Sequence, residues 1–210
     1  MMRLCIAAVI FSGLLLTACS NPAADKPRAV TGEAASASPQ SPSKGVKYSI
    51  TPQNSKIEFV ASKVTGSHNG SFKDFSGAID YAELAANRRV TVTINMASVE
   101  TDTPDLTKHL QTPDFFDVGK FPQATFTSTE IKPQGDKGAP FTVTGNFQLH
   151  GVTKSISFPA TITERADVIG VESTFSINRK DFGINYAGAA NNLIRDEVVM
   201  SLHIKADRAK

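Results

Sequence analysis

The four histidines are the first residues to consider as metal ligands. They are His68, His109, His150 and His203. None of them is spaced i, i+4 or as His-x-His, the spacings that place two imidazoles on one face of a helix or strand. Both cysteines of the chain, Cys5 and Cys19, lie far from them at the N-terminus. We therefore predict no metal site.

Two carboxylates, Asp114 and Asp117, lie close enough in sequence to suggest general acid and base chemistry. His109 and Arg179 are the other polar side chains that could join them. However, the aspartates flank two phenylalanines in a turn-rich segment, where Asp commonly caps or turns the chain. For Arg179 and Asp181, two residues apart in an extended segment, a structural salt bridge is the simpler role. Signatures of nucleophile elbows, phosphate loops and zinc proteases are absent, and we predict no enzyme.

The N-terminus carries a cysteine whose position indicates lipid attachment. Arg3 precedes an apolar run from Leu4 to Leu16, which is typical of a signal peptide and too short for a membrane span. The run ends in Leu-Thr-Ala-Cys, which resembles a bacterial lipobox and implies that Cys19 becomes the lipidated first residue. In enterobacterial lipoproteins, Asp after the cysteine retains the protein at the inner membrane, so Ser20 favours the outer membrane. We expect residues 1–18 to be the signal peptide of an envelope lipoprotein that faces the periplasm.

The overall charge argues against nucleic acid as a partner. The chain has 22 basic and 20 acidic residues, for a formal net charge of +2, and no basic block that would track a phosphate backbone. It also has 13 Phe and no Trp, so its apolar content is weighted towards phenylalanine. Because neither cysteine lies in the globular part, no disulfide can link its elements.

Two segments of different character follow the signal peptide. Residues 19–46 are rich in Ala, Ser, Pro, Lys and Gly and have almost no large apolar side chain. Such a segment cannot bury enough surface to offset its chain entropy, so we expect a lipidated, disordered tether. Residues 47–210 show short alternating runs separated by Gly, Pro, Asn and Asp, which is typical of one β-rich domain.

Period-two alternation in this domain predicts about eight strands. They are 90–96, 198–204, 56–64, 77–81, 124–131, 141–149, 155–163 and 171–177. One short connecting helix is predicted at 103–110, where Thr103 can cap and Pro104 can take the first helical position. Because no long helix can cover a sheet, the apolar faces must meet one another as a sandwich or a closed barrel. The pattern does not choose between these two.

Several short motifs of the domain resemble those of the YceI family. They are Gly70–Gly77 (GSFKDFSG), His109–Asp117 (HLQTPDFFD), Phe121–Phe126 (FPQATF), Leu149–Lys154 (LHGVTK), Ile177–Gly183 (INRKDFG) and Asp196–Val198 (DEV). They occur in the family's order and span nearly the whole domain. The resemblance implies an all-β, lipocalin-like, closed antiparallel barrel with short connecting helices. It further implies that polyisoprenoid or quinone-type lipids bind in the lumen.

We therefore expect an isoprenoid lipid as the ligand, held for carriage or storage in the bacterial envelope, with no cofactor. Candidate lumen residues are apolar side chains of the motifs and of the inward strand faces. They are Phe59, Phe72, Phe75, Val92, Ile94, Met96, Phe116, Phe126, Phe147, Phe175, Ile177, Phe182, Met200 and Leu202. Two alternatives stay open. One is a structural envelope lipoprotein with a solid core, and the other is an enzyme acting on a lipid or quinone through His109, Asp114, Asp117 and Arg179.

Overall fold

The computed structural model describes residues 21–35, 45–82, 88–133, 140–190 and 192–209. The predicted signal peptide and Cys19 lie outside the described residues. The strands, in chain order, are β1 (Val30–Glu33), β2 (Val46–Ile50), β3 (Lys56–Lys63), β4 (Gly66–Phe72), β5 (Phe75–Tyr81), β6 (Arg89–Asn95), β7 (Val99–Thr101), β8 (Gln123–Pro133), β9 (Phe141–Leu149), β10 (Val152–Arg165), β11 (Val168–Asn178), β12 (Gly188–Ala189), β13 (Asn192–Leu193) and β14 (Glu197–Arg208). The α-helix α1 spans Pro104–Leu110.

Eight antiparallel strands close into a barrel, which confirms the predicted fold class. The ring runs β2, β5, β6, β8, β9, β10, β11 and β14, and β14 returns to β2. Because the ring closes, the fold is a barrel rather than a sandwich, and the ring has no free edge. The strands β3, β4 and β7 extend the sheet from the first half of β14. We call the end of the barrel that carries α1 the helix end, and the opposite end the far end.

The core of the molecule is the barrel interior, and the strand periodicity explains why. Along β10, Ile156, Phe158 and Ala160 are buried, whereas the residues between them are half-buried. Successive strand side chains point to opposite faces, so one apolar residue in two is enough to fill the inside. Each fully buried Ile or Phe contributes about 1.5–3 kcal/mol of transfer free energy.

The predicted strands and helix all coincide with observed elements, with three differences at the level of detail. Met96 lies just past the end of β6 in a short 3₁₀ turn, although its side chain stays buried. Thr103 occupies the N-cap of α1, but its side chain makes no capping hydrogen bond. The sequence patterns did not predict β2, although its Val-Lys-Tyr-Ser-Ile run alternates. They also did not predict the Gly- and Ser-rich β4, which pairing with β3 stabilises rather than intrinsic strand propensity. Among the described residues, no helix is both long and apolar enough to cross a membrane.

The expected disorder of residues 19–46 is wrong for residues 21–35. Here β1 pairs with β10, with Val30 opposite Ser157 and Glu33 opposite Lys154. Only 4% of Ala29 is exposed, and it belongs to the core cluster. A segment poor in apolar side chains is ordered because its backbone N–H and C=O groups pair with those of the barrel, and such pairing needs no large side chain.

Candidate functional site

The barrel encloses two apolar cavities. The far chamber, towards the far end, has a volume of about 110 Å³, and the helix-end chamber one of about 80 Å³. Inward residues of the ring strands line the far chamber, among them Ile50, Ile79 and Val143. The helix-end chamber is also lined by Leu110 of α1 and by Phe115 from the loop that follows it.

Four residues line both chambers and form a waist between them. They are Ile94 on β6, Phe147 on β9, Ile177 on β11 and Met200 on β14. The Phe147 ring is held by edge contact with the fully buried Phe182, at 5.3 Å between ring centroids. The chambers are therefore two parts of one lumen.

The structure brings most of the predicted lumen residues to these cavities. Those that line one or both are Phe59, Phe72, Val92, Ile94, Met96, Phe116, Phe126, Phe147, Phe175, Ile177, Met200 and Leu202. Phe75 and Phe182 line neither, because they pack in the surrounding core. The residues missed include Ile156, Phe158 and Ile162, which the alternation along β10 would have identified. That these side chains contact a lipid remains a prediction.

Phenylalanine rings lie flat against the barrel wall where the opposing strand has glycine. The Phe59 ring covers Gly70, and the Phe126 ring covers Gly145. A Cβ atom at Gly145 would lie 2.5 Å from Cζ of Phe126. Glycine within a strand thus permits this close approach and leaves space in the lumen that a displaced ring would fill.

The chamber volumes limit what the lumen holds at rest. A cavity of roughly 150 Å³ lined by apolar side chains accommodates one benzene molecule. Neither chamber, at about 110 and 80 Å³, reaches that size. The lumen as it stands therefore matches short stretches of hydrocarbon, and a long chain requires lining side chains to move or the wall to widen.

Arg179 is the charged residue that lines the helix-end chamber, and its guanidinium N–H groups donate to other protein groups. It is 4% exposed, and its Nη1 donates to the Ile184 carbonyl at 2.7 Å. Its Nε donates to the Arg195 carbonyl at 3.2 Å, and its Nη2 to Asp196 Oδ1 at 3.2 Å. Burial lowers the pKa of Arg179, and the Asp196 carboxylate opposes that shift. Arg179 thus takes part in a structural salt bridge, as expected, but its partner is Asp196, and no ion pair of Asp181 is found among the described residues.

The other polar candidates make no hydrogen bond or ion pair with Arg179 among the described residues. His109 Nε2 lies 2.7 Å from Asp114 Oδ2 in a pair at the protein surface. Asp117 has a φ of 45° and serves a turn, where its carbonyl accepts from the Phe121 N–H at 2.8 Å. In the part of the chain that the structure describes, no three His, Cys, Asp or Glu side chains come together as a metal-ligating group.

A polar cluster of Tyr81, Arg88 and Glu164, which we call the clasp, crosses the far end. The Tyr81 hydroxyl donates to Glu164 Oε2 at 2.6 Å, and Arg88 pairs with the same carboxylate. This hydrogen bond, together with burial, raises the pKa of Tyr81. Because β5 and β10 lie on opposite sides of the eight-stranded ring, the clasp spans it.

The position of the clasp in the sequence places it over the far chamber. Ile79, Val90 and Ile162 line that chamber, and each lies two residues from a clasp residue. Residues two apart in a strand share a face. The far end of the apolar lumen is therefore closed by polar side chains.

Comparisons with known proteins point to one family. A family profile of the YceI-like domain matches residues 48–206. The UPF0312 protein YE1254 of Yersinia enterocolitica is 39% identical over 149 residues, which cover 67% of this chain and 74% of that protein. Protein YceI of Salmonella arizonae is 41% identical over 122 residues, which cover 55% of this chain and 62% of that protein's length.

Solved structures share the fold. BcnA of Burkholderia cenocepacia has a TM-score of 0.64 at 24% identity, over 75% of this chain and 99% of that one. A YCEI protein of Campylobacter jejuni has a TM-score of 0.58 at 29% identity, over 67% of this chain and 85% of that one. A polyisoprenoid binding domain from Saccharophagus degradans has a TM-score of 0.62 at 19% identity, over 78% of this chain and 99% of that one.

Proposed function

The chain belongs to the YceI-like family, and on that premise we propose that it binds a long isoprenoid lipid in the barrel lumen. The ligand class is a polyprenyl or quinone-type chain, bound for carriage or storage in the bacterial envelope. The observation that carries the proposal is the lumen itself, two joined chambers lined by Ile, Val, Leu, Met and Phe. A domain of the same fold from Saccharophagus degradans is described as polyisoprenoid-binding, which supports the ligand class.

Apolar transfer alone is sufficient to hold such a ligand. Each 100 Å² of hydrocarbon removed from water contributes about 2.5 kcal/mol, and no catalytic or charged group is needed for this. Ordering the chain and moving side chains aside offset part of that gain. Selectivity then depends on lumen length and on the few polar groups at its ends.

The two apolar chambers favour a binding protein over a solid structural barrel. Protein interiors normally have the packing density of organic crystals, with few voids larger than one water molecule. Two adjoining apolar cavities of about 110 and 80 Å³ depart from that density. A ligand in the lumen supplies the missing contacts. No observation favours an enzyme, because His109 and Asp114 form a pair at the surface, whereas Arg179 is buried and donates to backbone carbonyls.

We also propose that the protein is held in the bacterial envelope through a lipidated Cys19, with the barrel facing the periplasm. The lipobox-like residues at positions 16–19 and the preceding apolar run support this location. Ser20 favours the outer membrane. Several acyl chains on one cysteine give an anchor that does not detach, because each buried CH₂ contributes about 0.8 kcal/mol.

The test of lipid binding uses the full chain purified from bacterial membranes in mild detergent. Native mass spectrometry and solvent extraction should find an isoprenoid in the wild type. Ile94→Trp adds bulk at the waist and should expel the lipid while the protein stays folded. Thr93→Trp, on the outward face of the same strand, is the matched control and should keep the lipid.

Two results would contradict the proposal, namely the absence of lipid and a loss of stability. A wild type without lipid, even after incubation with geranylgeraniol or ubiquinone, would contradict the proposed function. A solid core would instead respond to Ile94→Trp by losing about 1–3 kcal/mol of stability through overpacking.

A further inference from the structure

Part of the barrel wall is made by the N-terminal segment rather than by direct strand pairing. β10 and β11 pair over residues 161–165 and 168–172, at the far end. Towards the helix end, the backbone ladder between the two strands stops, and the Ser173 hydroxyl of β11 donates to the Pro159 carbonyl of β10 at 2.5 Å. Residues 27–33, which we call the strap, lie in the resulting seam.

The strap is hydrogen-bonded to both strands that flank the seam. On the β11 side, the Ser176 N–H donates to the Pro27 carbonyl and the Ala29 N–H donates to the Ser176 carbonyl, both at 2.8 Å. On the β10 side, residues 30–33 pair in antiparallel register with residues 154–157. The strap thus completes the wall.

The lumen lies directly behind this seam. Phe158 of β10 and Phe175 of β11 stack across it, with ring centroids 4.3 Å apart and ring planes 10° apart. Both rings line the far chamber. Moving the strap aside would therefore leave two apolar rings between the chamber and solvent.

The strap is attached mainly through its backbone. Ala29 is its buried side chain, whereas 71% of Val30 is exposed. The ion pair of Glu33 with Lys154, at 3.3 Å, involves a Glu33 side chain that is 95% exposed. Release of the strap consequently gives up few apolar contacts, which is the property of segments that open locally.

The strap lies outside the part of the chain that the family profile matches, because it precedes residues 48–206. The resting chambers are also too small for a long chain, so the wall must widen for loading. A seam spanned by a weakly packed segment can widen with the loss of few apolar contacts.

We propose that residues 27–33 are a displaceable strap that closes a lateral portal between β10 and β11, through which the isoprenoid chain enters and leaves the lumen. The proposal rests on the proposed function and adds the route of exchange. When residues 30–33 unpair from β10, the two strands can separate at the helix end, and Phe158 and Phe175 are the first side chains to meet the lipid.

A disulfide across the strap tests the portal. Val30 and Ser157 are opposite one another on the outward face, so Val30→Cys with Ser157→Cys can lock the strap to β10. The control is Thr144→Cys with Ser157→Cys, which locks β10 to β9, where the two hydroxyl oxygens lie 2.8 Å apart. Both pairs are placed in the full chain with its two native cysteines changed to serine.

The readout is the rate at which radiolabelled geranylgeraniol transfers from phosphatidylcholine vesicles to the protein. The oxidised strap variant should take up the lipid at least ten-fold more slowly than the control, and reduction should restore the rate. Equal rates for the two oxidised variants would overturn the portal. If no variant, the wild type included, takes up lipid, the proposed function fails and the portal fails with it.

A deletion gives an independent measurement. Removal of residues 21–35 should increase the rate of lipid release at least ten-fold, while circular dichroism reports a folded barrel. An unchanged release rate from the folded deletion variant would overturn the proposal.

Discussion

Gly145→Ala should destabilise the barrel, because the added methyl group has no free space. Gly145 lies on β9 opposite Ser128 of β8 and Ile156 of β10. Its Cβ would lie 2.5 Å from Cζ of Phe126 and 2.6 Å from the carbonyl oxygen of Thr127. The ring can turn into the far chamber, but the carbonyl belongs to the backbone of β8 and moves only with the strand.

The expected loss of unfolding free energy follows from these two contacts. Overpacking of a close-packed site costs about 1–3 kcal/mol. For a domain of 150–250 residues, each kcal/mol lowers the melting temperature by roughly 2–4 °C. Gly145→Ala should therefore lower the melting temperature by several degrees, and the turned Phe126 ring should also occupy part of the far chamber.

Gly170→Ala is the matched control, because the same chemical change meets only ordinary van der Waals contacts there. Gly170 lies on β11, where the nearest atoms to an added Cβ are Cβ of Thr163 at 3.8 Å and the Ile204 carbonyl oxygen at 4.0 Å. At a compatible position, Gly→Ala stabilises by about 0.4–1 kcal/mol through the unfolded state.

The assay is thermal and urea denaturation of both variants and the wild type after delipidation. The two substitutions should move the melting temperature in opposite directions. Equal melting temperatures for the two variants, or a more stable Gly145→Ala, would refute the reasoning that Gly145 exists to admit the Phe126 ring.

Three further outcomes are expected. Arg179→Met should lower the free energy of unfolding, measured by urea denaturation, by on the order of 3 kcal/mol, because it leaves buried carbonyl groups without a donor. Lys180→Met, at the surface, should lower it by under about 1 kcal/mol. Similar losses for the two variants would contradict the buried role of Arg179. Hydrogen bonds from the Asn69 N–H and then from His68 lower the pKa of Asp102 below its ordinary value of 3.8. The stabilising effect of Asp102 is therefore present above that pH and is lost as pH falls through the lower folded pKa. The difference in free energy of unfolding between the wild type and Asp102→Asn should accordingly disappear in acid. A difference that does not depend on pH would contradict the stabilising role of the Asp102 carboxylate. Cys19→Ser should move the protein from the membrane to the soluble fraction, and continued membrane association would contradict lipid anchoring.

Local sequence determined most of the wall and much of the lumen. Alternation of apolar and polar residues predicted strands such as β9 and β14 and showed which face turns inward, because a strand has a side-chain period of two. Register then placed Phe126 beside Val92 and Phe147, as expected for residues that share a face. Pro104 likewise marked the start of α1.

Tertiary structure decided those features that residues distant in sequence form together. The waist brings together residues from four strands, and its position follows from the closure and register of the ring rather than from any local pattern. Phe75 and Phe182 belong to the motifs that resemble the family and were expected in the lumen, yet they lie in the surrounding core. Residues 27–33 have the composition of a tether, but they complete the wall because β10 and β11 separate and leave backbone groups to be paired. Backbone hydrogen bonding is available to almost any sequence, so composition alone could not reveal it.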